Sequence, residues 1–196
     1  MTHAEVIGRP AVGEIDKMPP VVLGVVLFVG SEAVFFSVLF GAWFTARSRA
    51  TAWPPAGIPA IDPTLGAIAT ALLILSSVAV VLSRWAIRTD VPNGMVRFLW
   101  LALALGAVAL GLQGWDLSHV GFTVHDGGFG TVFWTASVVD SAHVLGALIF
   151  GLLVLGRAYA RELTRTNDAL LQGCAIFWHF VVIASIFTFV VLEVAT

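Results

Sequence analysis

Residues Val21 to Phe44 read VVLGVVLFVGSEAVFFSVLFGAWF, and Glu32 is their only formally charged member. As a helix rising about 1.5 Å per residue, this segment is roughly 36 Å long, which exceeds the roughly 30 Å hydrocarbon core of a bilayer. The segment therefore predicts a transmembrane helix with a single acid near its middle.

Glu32 is the first candidate functional residue. An ionisable group at the centre of a bilayer costs at least about 2.5 kcal/mol to insert, so it needs a partner, a proton or a task. Three interpretations stay open: a proton-exchanging group, an acid that anchors a lipid head group or a partner side chain, and a protonated acid hydrogen-bonded between helices.

The composition supports an integral membrane protein. Of the 196 residues, 59% are hydrophobic and only 11% are charged, whereas soluble domains carry about 25% charged residues. The formal net charge of -2 leaves no basic face, which argues against nucleic acid as a partner. Cys174 is the only cysteine, so an internal disulfide and a cysteine-rich metal site are excluded.

The hydropathy pattern predicts an all-α bundle of five transmembrane helices within one domain, residues 21–196. The predicted spans are about 21–45, 65–86, 96–117, 131–157 and 170–194. Residues 1–20 have no apolar core of a signal peptide and are predicted to be a cytoplasmic tail. With these spans, eight of the ten Lys and Arg residues lie on the side of the N-terminus. The positive-inside rule then places the N-terminus in the cytoplasm and the C-terminus outside.

Four further residues are candidates for chemistry. Asp140 and His143 are three residues apart on the fourth span and share a face, which suggests a proton relay, a histidine ligand oriented by a carboxylate, or a structural hydrogen-bonded pair. His179 in the last span could ligate a haem together with His143. Asp116, at the outer end of the third span, is near enough to water to be ionised at low cost.

Six short motifs, in the same order along the chain, resemble those of subunit III of haem-copper terminal oxidases. They are S-E-x-x-x-F at Ser31, W-P-P-x-G-I at Trp53, L-Q-x-x-E at Leu112 (ending here in Asp116), D-G-x-Y-G-S/T at Asp126, H-V-x-x-G at His143 and W-H-F-V at Trp178. The resemblance covers nearly the whole chain from about Pro20. The family often has seven spans, and five resembles the shorter bacterial form that lacks the first two.

The resemblance implies an accessory subunit with no haem or copper of its own, because those cofactors belong to partner subunits. Such a subunit packs on the catalytic subunit I and other oxidase subunits in the bacterial inner membrane. It binds phospholipid between its helix groups and supports proton uptake and turnover stability. Glu32 matches the reactive intramembrane carboxylate of the family.

The last two spans depart from the family pattern. Asp140 stands where the family has a histidine, Val182 where it has an acid, and Ser185 where it has a tryptophan. These departures leave open a related subunit of nitric oxide reductase. From other classes, a haem-binding membrane cytochrome would use His143 and His179, and a small transporter would use Glu32 as its coupling acid.

Overall fold

The computed structural model describes residues 18–194, so the predicted tail lies outside the described residues up to residue 17. The helices are α1 (Pro20–Arg49), α2 (Thr64–Arg88), α3 (Pro92–His119), α4 (Gly127–Tyr159) and α5 (Ala169–Phe189), and a π-helical turn at Val190–Val194 continues α5. All five are long and apolar enough to cross a membrane, and residues 18–194 form no β-strand. The predicted all-α bundle of five transmembrane helices is confirmed.

The helices extend up to four residues beyond the limits predicted from hydropathy. Backbone hydrogen bonding continues into the polar residues at the ends of each span, where hydropathy has already fallen. Pro20 and Pro92 stand in the first turns of α1 and α3, where a backbone N–H has no helical acceptor. Arginines in the last turns of α1, α2 and α4 complement the helix dipole.

Four of the helices close a ring. α2 packs on α3, α3 on α4, α4 on α5, and α5 returns to α2, while α1 packs outside the ring on α4 and α5. In the apolar centre of α5 half of the residues are buried, compared with 11% in α1. The chain therefore leaves α1 as its least enclosed helix.

The indole ring of Trp178 on α5 fills a groove between α3 and α4. A Cβ atom at Gly106 would lie 3.2 Å from this ring, and one at Gly151 would lie 3.1 Å from it. Trp178 is 2% exposed, so the two glycines are what allow the helices to close around it. Small residues have this role generally where membrane helices approach closely.

An aromatic cluster joins the end of α1, the loop at 50–63 and the start of α4. The ring centroid of Trp53 is 4.8 Å from that of Trp43 and 4.9 Å from that of Phe129, in edge-to-face arrangements. Trp43 is fully buried in this cluster. Aromatic pairs of this kind contribute about 0.5–1.5 kcal/mol beyond their buried area. Three segments that carried the sequence resemblance thus meet in one place.

Asp126 holds the turn that leads into α4. Its carboxylate accepts hydrogen bonds from the backbone N–H and the hydroxyl of Thr123. These two hydrogen bonds lower the pKa of Asp126 below its ordinary value of 3.8, and the bond from the backbone N–H has the larger effect. Because the pKa is lower in the folded chain than in the unfolded chain, the charged Asp126 stabilises the fold when the pH is above the ordinary pKa. This contribution is lost as the pH falls through the lowered pKa.

Asp126→Asn is expected to remove the acid sensitivity of this turn. In the parent chain, hydrogen-exchange protection of the Thr123 amide, corrected for intrinsic rates, should fall as the pH drops below 3.8. In Asp126→Asn the protection of the Thr123 amide should be lower than in the parent and should not change with pH, because the introduced side-chain amide has no charge to lose. Asp90→Asn, at an exposed turn, is the control and should keep the parental profile. A flat profile in the parent would contradict the assignment.

Candidate functional site

Glu32 and His143 meet between α1 and α4. The Oε2 atom of Glu32 is 3.0 Å from Nε2 of His143, and the other ring nitrogen, Nδ1, is 2.8 Å from the carbonyl oxygen of Val139. The side chains are 20% and 14% exposed within the chain. The ring of Phe36 packs edge-on against the imidazole at 4.9 Å. The predicted mid-span acid therefore has a partner on another helix.

The hydrogen-bond geometry determines how many protons this pair can hold. A carbonyl oxygen only accepts, so Nδ1 of His143 carries a hydrogen and donates it to Val139. The contact between Nε2 and Glu32 then needs one further proton, on either the imidazole or the carboxyl group. Both arrangements, imidazolium with carboxylate and imidazole with carboxylic acid, have no net charge. The imidazole and the carboxyl group thus share one proton, and the net charge of the pair is zero wherever that proton lies. A pair without net charge suits the middle of a bilayer.

Asp140 does not bond to His143, so the predicted pairing along α4 is wrong. Its Oδ1 accepts from the hydroxyl of Ser185 at 2.8 Å, and its Oδ2 accepts from the amide of Gln113 at 3.2 Å. Three residues along a helix turn the side chain by about 300°, which leaves the two directions about 60° apart. This difference turns Asp140 towards α3 and α5 and His143 towards α1. Asp140 and Ser185, both departures from the family motifs, bond to each other.

Asp116 lines a small, partly open cavity together with Asp140. The cavity lies among α2, α3, α4 and α5 at the end of the bundle where the chain leaves α3. Glu193, in the π-helical turn, is a third acid on its wall. Sequence reasoning missed Glu193 because acids are common at span ends. The signal that could have found it is that it is the only charged residue after Asp168.

His179 and Trp178 bond to two consecutive serines of α2. Nδ1 of His179 is 2.6 Å from the hydroxyl of Ser77, and the indole N–H of Trp178 donates to the hydroxyl of Ser76 at 2.9 Å. His179 is thus held at the α2–α5 contact, while His143 is held at the α1–α4 contact. Ligation of a haem iron by His143 would require it to give up one of its two hydrogen bonds. Within residues 18–194 no three His, Cys, Asp or Glu side chains are grouped closely enough for a metal ion.

Comparison with known proteins gives a consistent result. The sequence model of the family described as Cytochrome c oxidase subunit III matches residues 16–195. Cytochrome c oxidase subunit 3 of Pyricularia grisea is 33% identical over 174 residues, which are 86% of this chain and 65% of that protein. The proteins of the same name from Neurospora crassa and Triticum aestivum are 30% and 32% identical, over 86% and 85% of this chain and 65% of each relative.

The chain therefore spans 65% of the length of these relatives. Its match to the family model nevertheless runs through all five helices and the loops between them. The family pattern and the packed structure agree, and the chain belongs to the cytochrome c oxidase subunit III family.

Proposed function

We propose that this chain is the non-redox accessory subunit III of a proton-pumping haem-copper oxygen reductase in a bacterial inner membrane. In this proposal haem and copper are held by the catalytic subunit I, against which this chain packs. The family match over residues 16–195 supports the assignment. The structural observation that carries it is α1, a long apolar helix that the rest of the chain covers on one side only.

The uncovered side of α1 is the proposed contact with the catalytic subunit. Leu27, Val34 and Val38 are 67%, 66% and 64% exposed. Their spacing of seven and four residues places them on one face of the helix. Membrane helices associate through close packing rather than through a hydrophobic driving force, so such a face suits a partner helix of matching shape.

The distribution of arginine supports the proposed orientation. The end of α2, the start of α3 and the end of α4 lie at the same end of the bundle in an up-and-down arrangement. That end carries Arg84, Arg88, Arg97, Arg157, Arg161 and Arg165. By the positive-inside rule this distribution supports a cytoplasmic position for that end, and therefore the proposed cytoplasmic N-terminus.

A groove at the arginine-rich end supports phospholipid binding. It has a volume of about 840 Å³ and lies between the start of α3 and the end of α4. Arg97 and Arg161 line it beside the apolar side chains of Val96 and Leu163. Guanidinium groups bind phosphate in a bidentate fashion, and the apolar wall suits an acyl chain.

Glu32 and His143 support a role in proton handling without redox chemistry. They share one proton between two sites, and the pair has zero net charge in both arrangements, so the proton can move between them without changing the net charge within the bilayer. We place the support of proton uptake and of turnover stability at this pair.

Copurification tests the proposed contact surface. A parent chain tagged at its terminus is expected to bring down a larger subunit that shows haem and copper absorbance. Val34→Trp should lower that recovery about fivefold or more, because overpacking a helix contact costs about 1–3 kcal/mol. Leu153→Trp, at a 62% exposed position on α4, is the matched control and should leave recovery unchanged.

Two results would contradict the proposal. A parent chain that purifies without any redox subunit would remove the oxidase assignment. Equal recovery with Val34→Trp and Leu153→Trp would show instead that this face of α1 contacts lipid.

A further inference from the structure

The cavity lined by Asp116, Asp140 and Glu193 has room and polar groups that the chain itself leaves without partners. Its volume is about 40 Å³, enough for about three water molecules at roughly 10–15 Å³ each. Thr188, Gln113 and Glu193 all line it, and each has a buried polar atom: the hydroxyl of Thr188, Oε1 of Gln113 and Oε2 of Glu193. None of these three buried atoms has a hydrogen-bond partner within the chain.

Thr188 provides evidence for a ligand independent of the acids. It is only 6% exposed and its hydroxyl is unpaired, although buried polar atoms are otherwise almost always hydrogen-bonded. A polar cavity of this size satisfies such groups by holding water, whereas an apolar cavity stays empty. The unpaired atoms therefore indicate bound water beside the carboxyl groups.

The surroundings of the cavity favour a proton or a cation at one or more of its carboxyl groups. Within the described residues no Lys, Arg or His side chain lines it. Asp62 before α2 and His119 at the end of α3 lie within electrostatic range of Asp116, and His143 lies within range of Asp140. The acids are not grouped closely enough to hold a metal ion, so protons are the better account.

Hydrogen bonds distinguish the two deepest acids. Both oxygens of Asp140 accept from donors, Ser185 and Gln113, and that arrangement favours its carboxylate form. Glu193 also lines the cavity, and its buried Oε2 atom has no hydrogen-bond partner within the chain. Its carboxyl group lies directly against Gly66 on α2, and a side chain at position 66 would collide with it. Gly66 therefore leaves the space that the Glu193 carboxyl group occupies.

We propose that Glu193 holds an exchangeable proton at this cavity, beside bound water and the hydrogen-bonded carboxyl group of Asp140. The ligand is water together with a proton. The site lies at the end of the bundle opposite the arginine-rich end, and it shares only α4 with the Glu32–His143 pair, since Asp140 and His143 are on that helix. It concerns this chain alone, so it does not rest on the oxidase assignment.

Infrared spectroscopy of the full chain in lipid nanodiscs tests the proposal. The parent is expected to show a carbonyl-stretch band of a protonated carboxyl group that shifts in D₂O and disappears as the pH is raised. Glu193→Gln should lose this band, and Glu193→Asp should restore it at a shifted position. Glu162→Gln, at an exposed glutamate paired with Arg157, is the matched control and should keep the parental band.

Three results would overturn the proposal. The first is a band that Glu193→Gln leaves intact while circular dichroism shows a folded helical chain. The second is a Glu193 band that does not shift in D₂O, because a carboxyl group beside water exchanges its proton. The third is a band that sodium chloride abolishes and choline chloride does not, which would identify a cation as the ligand.

Discussion

Trp178→Ala is expected to destabilise the chain by about 3 kcal/mol, near the lower limit for aromatic truncations in a packed core. The indole fills the groove above Gly106 and Gly151, and neither glycine has a side chain that could move into the space left behind. The change also removes the hydrogen bond from the indole N–H to Ser76. Reversible unfolding in mixed detergent micelles with increasing SDS, followed by circular dichroism, measures the loss.

Two variants make the Trp178 measurement specific. Trp85→Ala removes a 61% exposed indole and should change the free energy of unfolding by less than about 0.5 kcal/mol. Trp178→Phe should fall between the two, because it keeps one ring and because Ser76 still donates to the carbonyl of Leu73. Equal effects of Trp178→Ala and Trp85→Ala would show that the groove is not closely packed.

His143→Leu is expected to destabilise the chain by about 2–3 kcal/mol, because it leaves Glu32 without its hydrogen-bond partner at mid-depth. Glu32→Gln should change stability by less than about 1 kcal/mol, since the neutral amide can still donate to the imidazole. The double variant Glu32→Gln/His143→Leu should cost less than His143→Leu alone. The same SDS titration measures all three.

The single variants Glu32→Gln and His143→Leu should separate an effect on stability from an effect on function. In the proposed oxidase complex, Glu32→Gln is expected to shorten the working life or to reduce bound phospholipid, although the variant should fold normally. The working life is measured as the number of turnovers before inactivation. The bound phospholipid is measured as the amount of lipid phosphorus per complex. If Glu32→Gln equals the parent in both, the acid serves packing only. If His143→Leu is as stable as the parent, the bond to Glu32 contributes nothing.

The partners of the candidate residues show where sequence reasoning reached its limit. Glu32 could be found because it is isolated in an apolar run, but its partner His143 is 111 positions away. The spacing of three residues in the sequence suggests His143 as the partner of Asp140. Its actual partners are Ser185, 45 positions away, and Gln113, 27 positions away. Local spacing cannot predict which of two nearby faces a neighbouring helix will cover.

The five spans and the family could be read from residue order alone. A bilayer has a nearly constant thickness and offers no hydrogen bonds, so each span must be a long apolar helix whatever its neighbours are. Three further features depend on contacts between distant segments: the proton-sharing pair at Glu32, the close packing around Trp178, and the cavity that unites Asp116, Asp140 and Glu193. Such contacts follow from how the helices cross and where glycine lets them approach, and those are properties of the packed bundle.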